Sequence, residues 1–595
     1  MVDPRTETRL KILILALGIC WSALLVFLWY IQVVRGAEYE ELSTGNRTRQ
    51  VRLPAPRGRI YDRGGTVIAD NRPGMELFVN LPEVIDRERL VSKLAAILEL
   101  DPAEVRRRLA AFRERPYEPV RVATDIGLEK AVAIWEQAPL LEGVVVQANP
   151  LRNYPLGEET GHLTGYTGQI SPQELERLQD EGYHPQDDIG KAGIEEAFDR
   201  ELKGVPGRLR LQVDARGYRD RALERVAPVP GNDLHLTVDA RAQEILEDLM
   251  RDYTGAAVAM DPRNGDILAL VSKPGFDPNR LVRPVDAAYL SEIFADPRAP
   301  LVNRVISGEY PPGSPFKLVV ALAGLTWGGI DPEKRVECNG FIQIGEGTFR
   351  CWKPGGHGEV NLEEAIKGSC NVYFYRLGLE MGADRLRRMA MMLGMGRRSG
   401  IVLMGEKSGL LPGKTWKRQV FGEPWYPGDT ANFSIGQGFL LVTPVQMAVF
   451  CSAIANRGTV YRPRLVTEVT SPRGEIVAVY PPETAMETLI PPQAWERVAR
   501  GMYRVVNDPG GSGRAAAQPD IAVAGKTGTA QVGRPPDYED TAWFICFAPF
   551  EAPRVVLVLL LERAGSGGHQ AAPLAGQFIR RFFRLPAPEN REGAP

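Results

Sequence analysis

Three short motifs in this sequence carry the residue types of one serine-based active site. They are Ser314-Pro315-Phe316-Lys317, Ser369-Cys370-Asn371 and Lys526-Thr527-Gly528-Thr529, in the order S-x-x-K, S-x-N and K-T-G. Together they supply a nucleophile, an amine beside it, a second hydroxyl with an amide, and a cation on a strand of backbone donors. This set predicts acyl transfer through a serine ester. An isolated S-x-x-K is usually a helix cap followed by a solvated lysine, so the prediction depends on all three motifs.

The first motif predicts a nucleophile at the start of a helix. Ser314 has the residue type of an N-cap, Pro315 suits the first helical position, and residues 316–327 form an apolar helical run. Lys317 lies one turn along the same face, so its amine is expected to reach the Ser314 hydroxyl. To act as a base Lys317 must be neutral, and burial near Lys526 would lower its pKa below the ordinary value of about 10.4.

The second motif adds a proton relay. Ser369 is expected to pass a proton to the leaving group, and Asn371 to hold the substrate amide and Lys317. A helix is predicted to begin near Asn361, with Glu364 in the capping-box position, and a new helix to begin at Asn371.

The third motif predicts a strand that binds the substrate. Lys526, Thr527 and Thr529 offer a cation and hydroxyls to a carboxylate. Gly528 would let a ligand approach the strand closely. The N–H of Thr529 is expected to form an oxyanion hole with that of Ser314. The competing interpretation is an ordinary strand with a glycine bulge.

Composition and motif content exclude other classes of protein. The chain has 595 residues, 44% hydrophobic and 25% charged, with a net charge of -2, which gives no indication of nucleic-acid binding. The α/β-hydrolase motif G-x-S-x-G is absent, and the five histidines give little support to a Ser-His-Asp triad.

The N-terminal segment predicts a membrane anchor. Residues 12–34 are uncharged and long enough to cross a bilayer as a helix, and Arg5, Arg9 and Lys11 precede them. A cleaved signal peptide would have a shorter apolar core and a small-x-small site, which Val34 does not provide. We therefore expect residues 1–11 in the cytoplasm and the bulk of the chain outside it.

The remaining chain is expected to be α+β in two parts. Residues 35–230 are predicted to form an elongated α/β pedestal domain, and residues 231–585 a catalytic domain with an antiparallel sheet flanked by helices. In the catalytic part, Pro262 to Gly265 predicts a hairpin turn, and strands are expected around Lys526, over residues 543–548 and over residues 555–561. A long, mostly helical insertion would carry the first two motifs. Residues 586–595 are polar and predicted to be disordered.

These residues resemble the class B penicillin-binding transpeptidases, and the resemblance covers nearly the whole chain. The matching stretches outside the three motifs are Arg57 to Gly65, Arg152 to Pro155, His162 to Tyr166, Gly193 to Glu196, Ser434 to Gly438 and Thr443-Pro444. The first four resemble the family's N-terminal pedestal, and the last two resemble a stretch that lines the active site. Pro315 departs from the threonine usual in the family, but it is compatible with the first turn of a helix.

The resemblance implies a penicillin-binding, serine β-lactamase-like catalytic fold and a D,D-transpeptidase. Such an enzyme cross-links peptidoglycan stem peptides in the bacterial inner membrane and is acylated by β-lactams. It further implies a polytopic SEDS-family glycosyltransferase as partner. The elongation-type subgroup, penicillin-binding protein 2, is the most similar. The alternatives are the septal transpeptidase of division, a β-lactamase or D,D-carboxypeptidase, and a catalytically silent β-lactam sensor.

A cysteine and histidine cluster could bind zinc. Cys338, Cys351, His357 and Cys370 supply three thiols and one imidazole, but their spacing is not a C-x-x-C knuckle. The elongation-type subgroup can carry a metal-ligand set at such positions, so the resemblance favours structural zinc. The alternatives are a Cys338–Cys351 disulfide and free thiols. Cys451 and Cys546 are predicted to be buried core residues.

Overall fold

The computed structural model describes residues 4–35, 48–110, 119–213, 219–534 and 537–585. The chain divides into two compact units whose ranges interleave in the sequence. The first unit comprises Met1–Pro56, Pro73–Pro150 and Gly204–Pro230, and the second comprises Arg57–Arg72, Leu151–Lys203 and Gly231–Pro595. Residue 230 is one limit between the two units, but two earlier segments also belong to the second unit. The predicted division into a domain of residues 35–230 and a domain of residues 231–585 stays a prediction.

The helices are α1 (Pro4–Trp29), α2 (Arg87–Leu98), α3 (Pro102–Ala110), α4 (Gly127–Glu136), α5 (Gly161–Thr164), α6 (Pro172–Leu178), α7 (Gly193–Ala197), α8 (Asp199–Leu202), α9 (Ala240–Leu249), α10 (Ala287–Ala295), α11 (Arg304–Ser307), α12 (Phe316–Ala323), α13 (Leu362–Lys367), α14 (Asn371–Met381), α15 (Ala383–Met392), α16 (Lys414–Phe421), α17 (Pro427–Ser434), α18 (Pro444–Ala455), α19 (Pro492–Asn507) and α20 (Ala571–Phe582).

The strands are β1 (Thr48–Leu53), β2 (Ile60–Tyr61), β3 (Val67–Val79), β4 (Val120–Ala123), β5 (Val144–Asn153), β6 (Thr167–Gln169), β7 (Asp188–Gly190), β8 (Gly207–Val213), β9 (Arg219–Val226), β10 (Asp233–Leu236), β11 (Gly255–Met260), β12 (Ile267–Lys273), β13 (Val336–Cys338), β14 (Phe341–Ile344), β15 (Gly347–Arg350), β16 (Gly358–Val360), β17 (Thr459–Tyr461), β18 (Val466–Thr470), β19 (Ile476–Val479), β20 (Thr484–Glu487), β21 (Ala524–Arg534), β22 (Asp537–Ala548) and β23 (Val555–Leu561).

One helix of the described residues is long and apolar enough to cross a membrane. It covers Thr8–Val34 with a mean hydropathy of 2.6, and its last turn, Tyr30–Val34, is wound as a π-helix. None of its apolar window is buried against protein. The helix fits the predicted single-pass anchor.

The first unit combines a small sheet with a separate helical core. Strands β1, β8 and β9 form a three-stranded antiparallel sheet. Leu77 and Val79 of β3 pair with β4 and are buried with Leu94 of α2 and Ile134 of α4. Helix α2 follows Asp86, whose carboxylate accepts the Arg89 N–H. The sequence also predicts an amphipathic helix from Pro102 to Arg115. It is confirmed over Pro102–Ala110, and its predicted end lies outside the described residues.

The second unit is built on a five-stranded antiparallel sheet in the order β12-β11-β23-β22-β21. Every residue of β11, β12 and β23 is buried, so these strands are continuous apolar runs rather than alternating ones. The predicted hairpin at Pro262 to Gly265 joins β11 to β12. Helices α18 and α20 pack on the sheet. The predicted antiparallel catalytic sheet is thus confirmed, with its edge strand β21 carrying the third motif.

Two earlier segments belong to the same core. Ile60, Tyr154 and Leu163 are buried in one cluster with the apolar residues of the sheet. The backbone of Tyr154 is fixed by Asn279, whose side chain accepts its N–H and donates to its carbonyl, both at 2.9 Å. The second unit therefore needs residues that precede its sheet by about 90 to 200 positions in the sequence.

Candidate active site

The nucleophile helix begins after a tight loop. Helix α12 begins at Phe316 and continues through a π-helical turn, Gly324–Gly328, to Gly329, which adopts a left-handed conformation with φ 57°. The prediction that Ser314 caps this helix is wrong, because the residue at the cap position is Pro315 and no side chain caps the helix. The Ser314 hydroxyl is engaged elsewhere: it accepts a hydrogen bond from Ser369 Oγ at 2.9 Å.

The hydroxyl of Ser369 joins all three motifs. Its Oγ lies 2.9 Å from Ser314 Oγ, 3.2 Å from Lys317 Nζ and 2.9 Å from Lys526 Nζ. Ser369 occupies the turn between α13 and α14 with φ 54°, a left-handed conformation that is uncommon outside glycine. Strain of this kind concentrates at functional sites, and here it aims the hydroxyl into the cleft.

Helices on either side hold this turn. The predicted capping box at the start of α13 is present, with Asn361 accepting the Glu364 N–H and the Glu364 side chain accepting the Asn361 N–H. Helix α14 begins at Asn371 as predicted, and Asn371 Oδ1 accepts a hydrogen bond from Lys317 Nζ at 2.6 Å. The backbone carbonyl of Ser369 accepts a second one at 2.8 Å.

Two lysines are buried together beside Ser369. Lys317 and Lys526 have no exposed surface, and within the described part of the chain neither pairs with a carboxylate. Burial lowers the pKa of Lys317 to about 8, although the nearby thiols of Cys370 and Cys351 oppose the shift. Burial, and then the charge of Lys317, lower the pKa of Lys526 well below its ordinary value. A neutral amine beside a hydroxyl is what a base requires.

Glycines bring the nucleophile loop against the edge strand. A Cβ on Gly528 would lie 2.6 Å from Pro315 Cδ and 2.9 Å from the Cβ of Trp543. A Cβ on Gly313, which has φ 62°, would lie 2.9 Å from the Thr529 carbonyl oxygen. Gly528 was expected to leave room for a ligand, but the residue that fills its face is Pro315. The close contact sets the distance between Ser314 and β21.

The hydroxyls of the third motif have different surroundings. Thr529 is exposed to the cleft, whereas Thr527 is nearly buried and its Oγ1 lies 2.9 Å from Ser512 Oγ. Gln437, in the stretch predicted to line the site, donates to the Thr529 carbonyl at 3.5 Å. Ser512 was not predicted, since nothing in a Gly-Gly-Ser-Gly loop marks it as part of the site.

The cysteine and histidine residues form a cluster next to the second motif. Cys338, Cys351, His357 and Cys370 each offer a ligand atom, and all four atoms lie within 4.8 Å of one another. His357 Nδ1 lies 3.7 Å from Cys338 Sγ and 3.4 Å from Cys351 Sγ. The thiols are unpaired, so the alternative Cys338–Cys351 disulfide is not formed. Cys451 and Cys546 are buried as predicted.

The cluster contacts the catalytic turn at several points. Cys351 Sγ accepts the Asn371 N–H at 3.4 Å, and His357 Nε2 lies 3.0 Å from the Gly368 carbonyl oxygen. The indole N–H of Trp352 reaches the carbonyls of Gly368 and Ser369 at 3.0 and 3.1 Å. A hydrogen bond from the Cys370 thiol lowers the pKa of Cys351, while that bond and burial raise the pKa of Cys370.

Comparisons with known proteins agree with this architecture. The family model "Penicillin binding protein transpeptidase domain" matches residues 255–580, and "Penicillin-binding Protein dimerisation domain" matches residues 52–236. The peptidoglycan D,D-transpeptidase MrdA of Haemophilus influenzae is 32% identical over 620 residues, covering 99% of this chain and 94% of the relative.

Two solved structures are similar over most of the chain. The complex between penicillin-binding protein PBP2 and MreC from Helicobacter pylori contains a chain with a TM-score of 0.78 and 27% identity, covering 90% of this chain and 99% of its own length. A second structure is described as the structural coordination of polymerization and crosslinking by a peptidoglycan synthase complex. It contains a chain with a TM-score of 0.72 and 28% identity, and the match covers 98% of this chain and 99% of that chain.

Proposed function

The chain belongs to the penicillin-binding transpeptidases and is an elongation-type peptidoglycan D,D-transpeptidase, and from this we propose how its own residues divide the reaction. Ser314 attacks the carbonyl of the penultimate D-alanine of a stem peptide, forming an ester and releasing the terminal D-alanine. An amine of a second stem peptide then displaces Ser314 and completes the cross-link. The observation that carries the proposal is the convergence of Ser314, Lys317 and Lys526 on one hydroxyl, that of Ser369.

Proton transfer runs through Ser369. As Ser314 attacks, the hydrogen bond between the two hydroxyls reverses: the Ser314 proton passes to Ser369 Oγ, and the Ser369 proton passes to the neutral amine of Lys317. Return of that proton through Ser369, with Lys526 close by, protonates the nitrogen of the departing D-alanine as its C–N bond breaks. Asn371 holds Lys317 and binds the substrate amide.

The third motif binds the terminal carboxylate of the substrate and the oxyanion of the intermediate. Thr527 and Thr529 donate to the terminal carboxylate, whose negative charge in turn favours the protonated form of Lys526. The backbone N–H groups of Ser314 and Thr529 receive the oxyanion, while Gly528 keeps the two segments at the spacing that this requires.

Intact-mass spectrometry after incubation with benzylpenicillin tests the assignment of the nucleophile. The native chain is expected to gain one stable adduct, and Ser314→Ala none. Ser307→Ala, outside the cleft, is the matched control and keeps the adduct. An adduct that survives in Ser314→Ala would refute the assignment, and rapid turnover of the drug would indicate a hydrolase.

We further propose that the cysteine and histidine cluster holds structural zinc. In a tetrahedral zinc site with bonds of about 2.0 to 2.3 Å the ligand atoms lie about 3.3 to 3.8 Å apart, close to the distances found around His357 Nδ1. The hydrogen bond from His357 Nε2 to the Gly368 carbonyl leaves Nδ1 as the lone-pair donor. Cys338, Cys351, His357 and Cys370 would hold the metal, whose part is to fix the turn around Ser369.

Metal analysis of the purified chain tests this site. One equivalent of zinc is expected in the native protein and a loss of it in His357→Ala. His569→Ala, which changes an exposed histidine outside the cluster, should keep the metal. A native protein without stoichiometric zinc would refute the site.

Localisation and partners follow the family. We propose a single-pass protein of the bacterial inner membrane, with Arg9 and Lys11 on the cytoplasmic side and residues after Val34 outside, because positive residues flank cytoplasmic ends. Residues 35–230 would act as the pedestal and 231–585 as the catalytic domain. A SEDS-family glycosyltransferase is the proposed partner, supported by the likeness to a chain of a peptidoglycan synthase complex. Reporter fusions after residue 11 and after residue 230 test the orientation.

A further inference from the structure

A group of aromatic side chains, two of them half exposed and the other two more deeply buried, has no part in the reaction described above. It consists of Trp416, Phe421, Tyr426 and Phe439, which we name the aromatic rim. The rings of Trp416, Phe421 and Phe439 pack against one another with centroids 5.1 to 5.6 Å apart. Phe421 and Tyr426 are each 50% exposed. Exposed apolar groups clustered in this way mark a binding surface rather than a core.

A buried ion pair fixes the rim in place. Lys417 is 4% exposed, and its Nζ lies 2.7 Å from Asp429 Oδ2, 4.6 Å from the ring centre of Tyr426 and 6.0 Å from that of Phe439. The same carboxylate oxygen accepts the Tyr426 N–H at 2.8 Å. The loop between α16 and α17 is therefore tied to both helices, and the rings are presented in a set geometry.

The rim adjoins one wall of the cleft. Phe439 lies two residues after Gln437, whose side chain reaches the Thr529 carbonyl. Next to Tyr426 in the sequence, Trp425 packs on Phe433, and Phe433 packs on Phe316 at the start of the nucleophile helix, with centroids 6.2 and 5.0 Å apart; both phenylalanines are buried in the core. A substrate that extends past Thr529 on the Gln437 side would meet the rim next.

The chemistry of the rim suits a sugar ring. Pyranose rings present faces of weakly positive C–H groups, which pack against the negative face of an aromatic ring, while their hydroxyls seek polar partners. Arg418 and Gln419 are exposed on α16 between Trp416 and Phe421 and can supply such partners. Helix α16 contains no acidic residue, and the exposed Glu423 in the following loop lies 3.6 Å from Lys417 Nζ.

We propose that the aromatic rim binds the sugar strand of the peptidoglycan whose stem peptide occupies the serine site. The inference rests on the proposed function, because that stem peptide is attached covalently to the strand. A peptide of four or five residues spans roughly 14 to 17 Å when extended, so the tether keeps the sugars within that distance of Ser314 and raises their effective concentration there. The rim would favour substrate that is part of a strand over free peptide.

The test compares two substrates in the full-length chain carrying Phe421→Ala and Tyr426→Ala together. One substrate is a free stem pentapeptide, and the other is the same peptide on uncross-linked glycan strands. The double variant is expected to keep its rate of acylation by benzylpenicillin and its kcat/KM on free peptide within about twofold, and to lose about tenfold in kcat/KM on strand-linked peptide. Phe294→Ala, which removes a ring that is 71% exposed on α10, is the matched control and should change neither.

Each other outcome overturns the inference. Equal losses on both substrates would make the rim a structural support of the cleft. No loss on either would exclude it as a substrate surface, and a loss seen only when a partner protein is added would make it a protein-docking surface. If the native chain is not acylated by benzylpenicillin, the proposed function fails first, independently of the rim.

Discussion

At the scale of single residues, the site depends on burying two amines next to one hydroxyl. Lys317 and Lys526 share a pocket in which a charge on either amine disfavours a charge on the other. Burial without a carboxylate would be costly for two ammonium groups, so the pocket itself selects the neutral form of at least one lysine. An incoming carboxylate would shift this balance towards the protonated form of the lysine beside it.

The lowered pKa of Lys317 predicts how acylation depends on pH. Below about pH 8 the amine is protonated and cannot accept a proton, so the rate of acylation by benzylpenicillin should rise with pH, reach half its maximum at about 8 and level off above it. Stopped-flow or quenched intact-mass measurements from pH 6 to 10 give the profile. A midpoint near the ordinary lysine value of about 10.4 would contradict the role of burial.

Ser512 is predicted to orient Thr527. With its Oγ 2.9 Å from Thr527 Oγ1, it can donate to that oxygen while the threonine donates to a carboxylate. Ser512→Ala should slow acylation by a carboxylate-bearing β-lactam about fivefold to tenfold, the effect of one hydrogen bond of about 1 kcal/mol, and Ser512→Thr should restore most of it. A methyl ester of the same β-lactam should be little affected by either change.

The control for Ser512 is Ser471→Ala, in the turn before β19. If Ser512→Ala slowed the acid and the ester equally, Ser512 would be a support of the loop and not an aid to carboxylate binding.

At this scale the sequence predicts residue types better than contacts. The three motifs could be read because each combines a nucleophile, a cation or a hydroxyl with a backbone that suits it. The direct contact of Lys317 with Ser314 was expected from helical spacing, yet the described hydrogen bonds of Lys317 go to Ser369 and Asn371. Two of those bonds go to Ser369, which adopts a left-handed conformation that local propensity does not favour for serine.

At the scale of elements, the close contact between Gly528 and Pro315 sets the distance of the nucleophile loop from β21. Gly528→Ala places a methyl group 2.6 Å from Pro315 Cδ and should cost about 1 to 3 kcal/mol, felt as a loss of at least fivefold in the rate of acylation. Adding Pro315→Ala removes that contact and should restore part of the rate, while the contact with Trp543 remains.

Gly413→Ala is the matched control for this pair, since its Cβ would meet only the flexible side chain of Arg387, at 3.3 Å. Acylation rates of Gly528→Ala, the double variant and Gly413→Ala, measured by intact mass, test the role of this contact. A double variant as slow as Gly528→Ala alone would show that Pro315 does not limit the approach of the loop to β21.

Elements were predictable where a local signal was strong. The hairpin at Pro262 to Gly265, the capping box at Asn361 and the start of α14 at Asn371 follow from turn and cap chemistry. The end of the nucleophile helix as a π-helical turn was not predictable, because it depends on Leu377 and Met381 packing against Gly324 and Gly328. Such details depend on packing between elements, which local patterns in a single sequence do not predict.

At the scale of the whole molecule, the second unit is assembled from three separated stretches of sequence. A chain shortened to begin at residue 231 would lack Ile60, Ile68, Tyr154 and Leu163, all buried in the main core. Each such side chain contributes about 1.5 to 3 kcal/mol on burial, against a total stability of about 5 to 15 kcal/mol. We predict that this shortened chain does not fold, whereas one beginning at residue 48 folds and is acylated by benzylpenicillin.

Circular dichroism and intact mass after drug treatment compare the two shortened chains. If the chain beginning at residue 231 were folded and acylated, the sheet and its helices would be sufficient for folding. The earlier segments would then not be needed for the stability of the second unit.

The order of the strands has a consequence for how the enzyme is made. Strand β11 pairs on one side with β12, which follows at once, and on the other with β23, where Val258 faces Val558 across 300 residues of sequence. Because a chain is synthesised and exported from its N-terminus, the edge of β11 that pairs with β23 stays unpaired until almost all of the protein has emerged. Lys526 meets Ser369 only after β21 joins the sheet through β22 and β23. A nascent or prematurely terminated chain is therefore a target for proteases and chaperones, and never a partly active cross-linker.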